Sequence, residues 1–308
     1  MLRARLIVNP QATGTSDRTR EVLISAISSE LVLDVTETKA RGHATELAAD
    51  ARNVGYDVVI AVGGDGTVNE VVNGLLTDGV EGAPALAVVP GGSTNVFARA
   101  VGIPEGQIEA TGHLLEALQT GRRRRIGLGR ADGRWFTFTA GLGLDAEVVA
   151  RVEHKREQGK RSSNSLYLRS AVAQYFRGTD RRHTPLTLAR DGEPPEPSLS
   201  LVLVGNTSPW TFLGRLRVDP FPGADFDHGL DVLALHRLRL VRTLTTARQL
   251  LTPNGRVPKG SDVTTYNDLA GFSVSSLEPV AFQVDGDYLG TTTQVDFQSH
   301  PRALAVVV

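Results

Sequence analysis

The chain has 308 residues, 41% hydrophobic and 22% charged, the balance of an ordinary globular protein. Its 33 basic and 34 acidic residues leave a formal net charge of −1, which excludes a global field for nucleic acid or for an anionic surface. Cysteine is absent, which excludes disulfides, thiol catalysis and thiolate metal sites. The length suits two domains. The apolar stretch before Asn9-Pro10 is too short for a signal-peptide core, and no apolar run approaches a membrane span. The expectation is a cytoplasmic chain, with any membrane contact peripheral and transient.

Leu6-Ile7-Val8, closed by Asn9-Pro10, predicts a buried strand, and Ser16 is placed to cap a helix carrying Val22, Leu23, Ala26 and Ile27. Leu31 to Val35 predicts a second strand, and Ala44 to Asn53 a helix. Asp57 to Val62 is a continuous apolar run, as expected of a strand covered on both faces. A helix over Val68 to Leu76, a strand over Ala85 to Val89, and helices over Asn95 to Val101 and 107–120 follow. This alternation predicts a doubly wound α/β domain over residues 1–122, ending at the basic stretch Arg122 to Arg125, which reads as a solvated linker or an attraction for anionic lipid. Residues 123–297 change texture. Strand patterns at 134–139, 186–190, 199–205, 231–235, 272–274 and 280–284 predict an antiparallel β-sandwich interrupted by one clear helix at about 164–177. Residues 298–308 hold a last apolar strand, Ala303 to Val308.

The strand at 57–62 runs into Gly63-Gly64-Asp65-Gly66-Thr67-Val68-Asn69-Glu70. Glycines at a helix start free backbone N–H groups for an anion, and the dipole end adds positive charge, so this turn predicts a phosphate-binding nest. Thr67 adds a hydroxyl donor. Asp65 has the wrong charge to clamp phosphate but can hold a metal, orient water or move a proton. Neither Gly-Lys-Ser/Thr nor Gly-x-Gly-x-x-Gly is present, which argues against a Walker loop and a nicotinamide site. Asn9 to Thr15 and Pro90 to Asn95 are polar loops after two other strands. In an open α/β sheet such loops line one crevice.

Together, Asn9-Pro10, Gly63 to Val71 and Pro90-Gly-Gly-Ser-Thr-Asn-Val-Phe-Ala-Arg99 resemble the diacylglycerol kinase catalytic domain family, which includes bacterial soluble lipid kinases and is related to sphingosine kinases. The likeness continues through Gly42-His43-Ala44, Gly141 to Ala146, Val204-Gly205-Asn206 and Val284-Asp285-Gly286-Asp287. The resemblance implies ATP in a cleft between the α/β and β domains, with the last strand returning to the first domain. It implies that Asn9, Thr13, Thr38, Gly63, Gly64, Asp65, Gly66, Thr67, Asn69, Glu70, Ser93 and Thr94 line the nucleotide site. It implies transfer of the γ-phosphate to a lipid alcohol, foremost diacylglycerol, with Asp287 as proton acceptor and Asp65 and Asp285 assisting. Asp145 matches a headgroup contact of sphingosine kinases, although as a lone acid it can simply cap a helix.

Asp191-Gly192-Glu193 is a second acidic segment, and it reads as a hairpin turn. Relatives carry acids where this chain has Gly127 and His228, so a structural magnesium site is not assigned; magnesium arriving with ATP is expected. Helix 164–177, with Leu166, Tyr167, Val172, Tyr175 and Phe176 beside Lys160, Arg161, Arg169 and Arg177, reads either as a core helix or as a membrane-surface helix. The expected partner is a lipid substrate at a membrane surface, not nucleic acid; a homodimer stays open. The competing readings are an NAD kinase-like enzyme and an inactive nucleotide- or lipid-binding regulator.

Overall fold

The computed structural model describes residues 2–12, 17–158, 164–180, 182–214, 216–252 and 256–308. Ser16, Lys160 and Arg161 lie outside them. The chain divides into two compact units, residues 1–128 with 302–308, and residues 129–301.

The first unit begins β1 (Arg3–Val8), α1 (Asp17–Ser28), β2 (Val32–Glu37), α2 (His43–Val54), β3 (Val58–Gly63). It continues α3 (Asp65–Leu75), β4 (Ala85–Pro90), α4 (Val96–Ala100) and α5 (Gln107–Thr120). The strands are parallel in the order β2-β1-β3-β4. β3 and β4 are buried at every position, which is why they read as unbroken apolar runs. Leu23 and Ile27 carry α1 onto this core while Val22 faces out, so the predicted apolar face is narrower than its sequence suggests.

Helices α2 and α3 approach closely through Gly74. A Cβ there would lie 2.2 Å from Thr45 O and 2.7 Å from Ala48 Cβ. Arg52 of α2 then reaches past the end of α3, its guanidinium donating to the carbonyls of Leu75, Gly79 and Glu81. It satisfies acceptors that a helix end leaves without partners. Arg5 inside β1 is nearly buried and pairs with Asp34 and Asp50.

β5 (Arg123–Ala131) follows α5, so the basic stretch is strand rather than linker, and Arg125 Nε donates to Arg302 O. The second unit adds β6 (Arg134–Phe136), β7 (Thr139–Gly143), α6 (Leu144–Glu157), α7 (Asn164–Arg177), β8 (Leu186–Ala189), β9 (Glu196–Leu199) and β10 (Leu201–Gly205). After these come β11 (Thr211–Leu213), β12 (Leu216–Val218), β13 (Leu230–Leu235), α8 (Leu240–Leu250), β14 (Val263–Leu269), β15 (Gly271–Val284) and β16 (Asp287–Val307). The order β14-β13-β10-β7-β15-β16 is antiparallel throughout. The architecture is thus the expected α/β plus β-rich class. Phe136, Phe272, Phe282 and Phe297 share one core with the apolar faces of these strands.

Among the described residues three helices, not one, interrupt this unit. α6 was hidden by its mixed charges, and α8 by its three threonines, which favour a helix weakly. α7 is divided: Tyr175 is buried with its hydroxyl donating to Leu238 O, whereas Val172 and Phe176 are exposed. No helix among the described residues is long and apolar enough to cross a membrane.

Gly74→Ala forces backbone apart at the α2–α3 contact. It should cost about 1–3 kcal/mol, read as a lower urea midpoint at unchanged m-value. An unchanged midpoint would mean that the helices separate freely.

Candidate functional site

Because β1, β2, β3 and β4 are parallel, the segments after them emerge at one edge of the sheet. Hydrogen bonds join those segments. Asn9 Nδ2 donates to Thr67 Oγ1 at 3.1 Å, tying the end of β1 to the first turn of α3. Thr38 N donates to Val8 O at 2.8 Å. Gly91 N donates to Gly63 O at 2.8 Å.

The glycines serve a purpose that differs from the expected nest. None of Gly63, Gly64, Gly66, Gly91 and Gly92 has a positive φ, so the alternating backbone of a nest is absent. Instead, a Cβ on Gly92 would lie 2.7 Å from Gly64 Cα, and one on Gly91 would lie 3.2 Å from Gly63 Cα. The glycines let two backbones touch. The helix also starts earlier than Val68: Gly64 is the N-cap, and Asp65, Gly66 and Thr67 form the first turn of α3. Its first helical bond runs from Val68 N to Gly64 O. As at any helix start, the amides ahead of that bond have no partner inside the helix and carry the positive dipole end. The edge therefore suits a polyanion, although by helix geometry rather than by a nest.

Several expected ligand residues turn out to hold the scaffold. Asp65 Oδ1 accepts from Phe97 N at 3.1 Å and Oδ2 from Thr94 Oγ1 at 3.3 Å, so it fastens the segment after β4. The Glu70 carboxylate accepts from Gly42 N and Ala44 N and so caps α2. Asn69 is fully buried and accepts from Asn73 Nδ2. Ser93 is exposed, and Thr94, Gly64 and Gly66 are half-buried on the edge. Thr13 lies outside the described residues.

The second unit builds a separate polar centre at the β15–β16 hairpin. Val284 pairs with Asp287, leaving Asp285-Gly286 as a two-residue turn with φ of 47° and 81°. Two positive φ values are the mark of a type I′ turn, for which Asp-Gly is favoured. Asp285 is buried, and its two oxygens accept from the backbone of Thr137, Phe138 and Thr139 and from Thr137 Oγ1. Burial raises its pKa and those donors oppose the rise. With all four bonds internal, Asp285 anchors the turn rather than assisting at a reacting atom. Asn206 braces the same segment from behind, donating to Thr137 O and Phe138 O.

Asp287 opens β16, with Arg134 Nη2 3.7 Å from its Oδ2, an ion-pair separation. Asp145, in the first turn of α6, is buried and accepts from Gln283 Nε2 at 2.7 Å. Gln283 Oε1 in turn accepts from Gly286 N at 2.9 Å. Asp145 is thereby linked through one amide to the turn that presents Asp287. Gly141 makes room for this pair, since a Cβ there would lie 2.1 Å from Asp145 Oδ2. Sequence reasoning did not find Gln283, Arg134 or Thr137. Gln283 sits in an apolar strand, and an isolated buried polar residue there is the signal that points to it. Asp191 is exposed at the β8–β9 hairpin, as expected of a plain turn. Among the described residues no group of three or more His, Cys, Asp or Glu side chains is arranged to hold a metal ion.

Residues 3–131 match the model of the diacylglycerol kinase catalytic domain, the family that the sequence motifs resemble. The chain is 29% identical over 304 residues to the diacylglycerol kinase of Bacillus subtilis (strain 168), covering 94% of this chain and 91% of that protein. It is also 29% identical over 298 residues to the diacylglycerol kinase of Staphylococcus aureus (strain bovine RF122 / ET3-1), covering 94% and 87%. Two solved structures from Bacillus anthracis str. Sterne share the fold, each over 99% of this chain and 96% of the other. One superposes with a TM-score of 0.78 at 21% identity, and a second, described as a diacylglycerol kinase, with 0.70 at 20%.

Burial pushes the Asp145 carboxyl up to about 6, against the hydrogen bond from Gln283. The unfolded chain releases that proton near 3.8 while the folded chain holds it to about 6, so this group's contribution is complete below pH 4 and disappears as pH rises through 6. The loss is on the order of 3 kcal/mol. Asp145→Asn should therefore gain stability relative to the parent chain between those pH values. Urea midpoints of both proteins across the range test this; a constant difference would refute it.

Proposed function

With residues 3–131 in the diacylglycerol kinase catalytic domain family, we propose that this chain is an ATP-dependent lipid kinase that phosphorylates the hydroxyl of diacylglycerol to give phosphatidic acid. The observation that carries the reading is the joined edge of β1, β3 and β4. Here close glycine contacts bring a helix start and the polar segment after β4 together without intervening side chains.

The residues present fit a nucleotide triphosphate. Gly64, Gly66 and Thr67 offer amides at the positive end of α3, and Asn9 fixes the Thr67 hydroxyl. Thr38, Ser93 and Thr94 supply further hydroxyls on the same edge. ATP, with magnesium bound to its phosphates, would supply the transferable phosphoryl group and neutralise its charge. In this reading the ion arrives with the nucleotide.

Asp287 is the proposed proton acceptor from the lipid hydroxyl, and Arg134 keeps its carboxylate in one orientation. Asp285 sets the turn on which Asp287 stands. Asp65 works at one remove, by holding the Thr94 segment in place. Asp145, joined to the same turn by Gln283, is the proposed contact for the acceptor's polar end.

Radiolabel transfer from ATP to diacylglycerol in mixed micelles, compared with NAD as acceptor, tests the assignment. Label in phosphatidic acid is expected, and label in the NAD product alone would select the soluble-substrate alternative. Asp287→Asn should lower kcat by about 100-fold or more with ATP binding retained; full activity would remove Asp287 from its role. Gly92→Ala should weaken ATP binding, because its Cβ meets Gly64 Cα at 2.7 Å and parts the two segments. Unchanged ATP affinity would place the nucleotide elsewhere.

A further inference from the structure

Helix α8 is amphipathic the wrong way round for a helix covered by water. Positions facing the unit are Thr243, Thr246 and Leu250, with Thr246 only 5% exposed. Leu240, Val241, Leu244 and Ala247 face outward, with Val241 76% and Leu244 60% exposed. At 100° per residue these four fall on one side of the helix. A surface helix ordinarily buries its leucines and exposes its threonines. Here the apolar stripe is turned out although buried positions were available one turn away, and contiguous exposed apolar surface of this kind marks an interaction site.

The charge of this segment points to the partner, with Arg239 and Arg248 beside the stripe and Arg242 and Lys259 on the far side of the helix. Residues 236–263 hold six basic side chains, Arg237, Arg239, Arg242, Arg248, Arg256 and Lys259, against one acid, Asp262, in a chain whose net charge is −1. All six are exposed. The arrangement is fixed rather than incidental. Arg242 pairs with Asp262 at 2.8 Å. The Gln249 side chain bonds both the N–H and the carbonyl of Lys259, holding it beside the helix. The buried Tyr175 hydroxyl grips Leu238 O just ahead of α8, which brings in α7 with its own exposed Val172 and Phe176.

We propose that α8 docks the second unit on an anionic membrane surface, its Leu240–Val241–Leu244 stripe entering the acyl boundary while the surrounding arginines meet lipid phosphates. The proposal takes its purpose from the lipid-kinase reading, but its observations do not depend on that reading. It moves the membrane contact from helix 164–177, considered from sequence, to a helix that sequence reasoning missed.

Sedimentation of the full chain with vesicles of phosphatidylglycerol and phosphatidylcholine, without ATP or acceptor lipid, tests it directly. The parent chain should bind these vesicles and not phosphatidylcholine alone, and binding should weaken with salt. Val241→Ser with Leu244→Ser should lower partitioning on the order of tenfold. Arg239→Gln with Arg248→Gln should lower it by about fivefold per arginine at low salt. Val241→Ser alone, at the most exposed position, is a second variant should the pair fold poorly. All should phosphorylate acceptor dispersed in detergent micelles as the parent does. No binding by the parent chain, or parental binding by the stripe variants, overturns the proposal. So does a parental dimer that these variants convert to monomer with vesicle binding unchanged, since the stripe would then be a self-interface. A parent chain that binds vesicles yet transfers no phosphate would sink the kinase reading and leave the docking helix standing.

Discussion

The backbone contact between Gly63-Gly64 and Gly91-Gly92 is the constraint on which the first unit's chemistry rests. Adjacent parallel strands ordinarily diverge into loops whose side chains keep them apart. Here β3 and β4 end in glycine pairs, and the absence of Cβ atoms lets the chains stay together past the sheet. Asp65 is useful only because of that proximity: its carboxylate reaches the amide of Phe97 and the hydroxyl of Thr94. A negative side chain at the start of α3 would repel an anion, yet both of its oxygens are engaged by donors from the neighbouring segment. The same residue thus fastens the segment after β4 to the start of α3.

The second unit reaches order by a different route. Its polar centre is a buried carboxylate surrounded by donors, not a backbone contact. Asp285 receives four hydrogen bonds from three consecutive residues, and Asn206 holds those residues from the other side. Removing a carboxylate from water is costly unless its oxygens are satisfied. Here four donors satisfy those oxygens, and the satisfied carboxylate holds a hairpin turn with two residues at positive φ. Gln283 then connects that turn to Asp145, a second buried acid that keeps its proton to about pH 6. One amide side chain, donating to an acid and accepting from a turn amide, makes the position of the hairpin sensitive to what happens at Asp145.

Much of this was legible in residue patterns, but not for the same reasons everywhere. Fully buried parallel strands declare themselves because every position is apolar, so β3 and β4 were readable to within a residue, whereas β1 was read only from Leu6 because Arg3 and Arg5 interrupt its apolar run. The glycine segments were readable as a site but misread in mechanism. Sequence shows that Cβ is absent, not whether the space is filled by a ligand or by another backbone. Glu70 and Asn69 illustrate the same limit, since a motif residue can be needed for the scaffold that presents the site. Asp285-Gly286 and Asp191-Gly192 are the same turn dipeptide, and local chemistry cannot rank them. Burial separates them: one carboxylate is enclosed by Thr137 to Thr139 while the other faces solvent. Burial of that kind comes from strands far apart in the chain, which no local pattern encodes.

Helix α8 escaped notice for a related reason. Helices are recognised by an apolar stripe that matches a core, and α8 packs on its unit with threonines. Thr243, Thr246 and Leu250 face the unit while Leu240 and Leu244 face out, so this short helix is seated largely on small polar residues. Tertiary packing then tolerates the inversion without requiring it. An exposed stripe of this kind gains nothing in water and adds a liability for aggregation. Its persistence beside a concentrated basic field follows naturally if the relevant environment is not water on that side. The units would then divide the work by material: the first meets a hydrated polyanion with backbone amides, and the second meets a lipid surface with side chains.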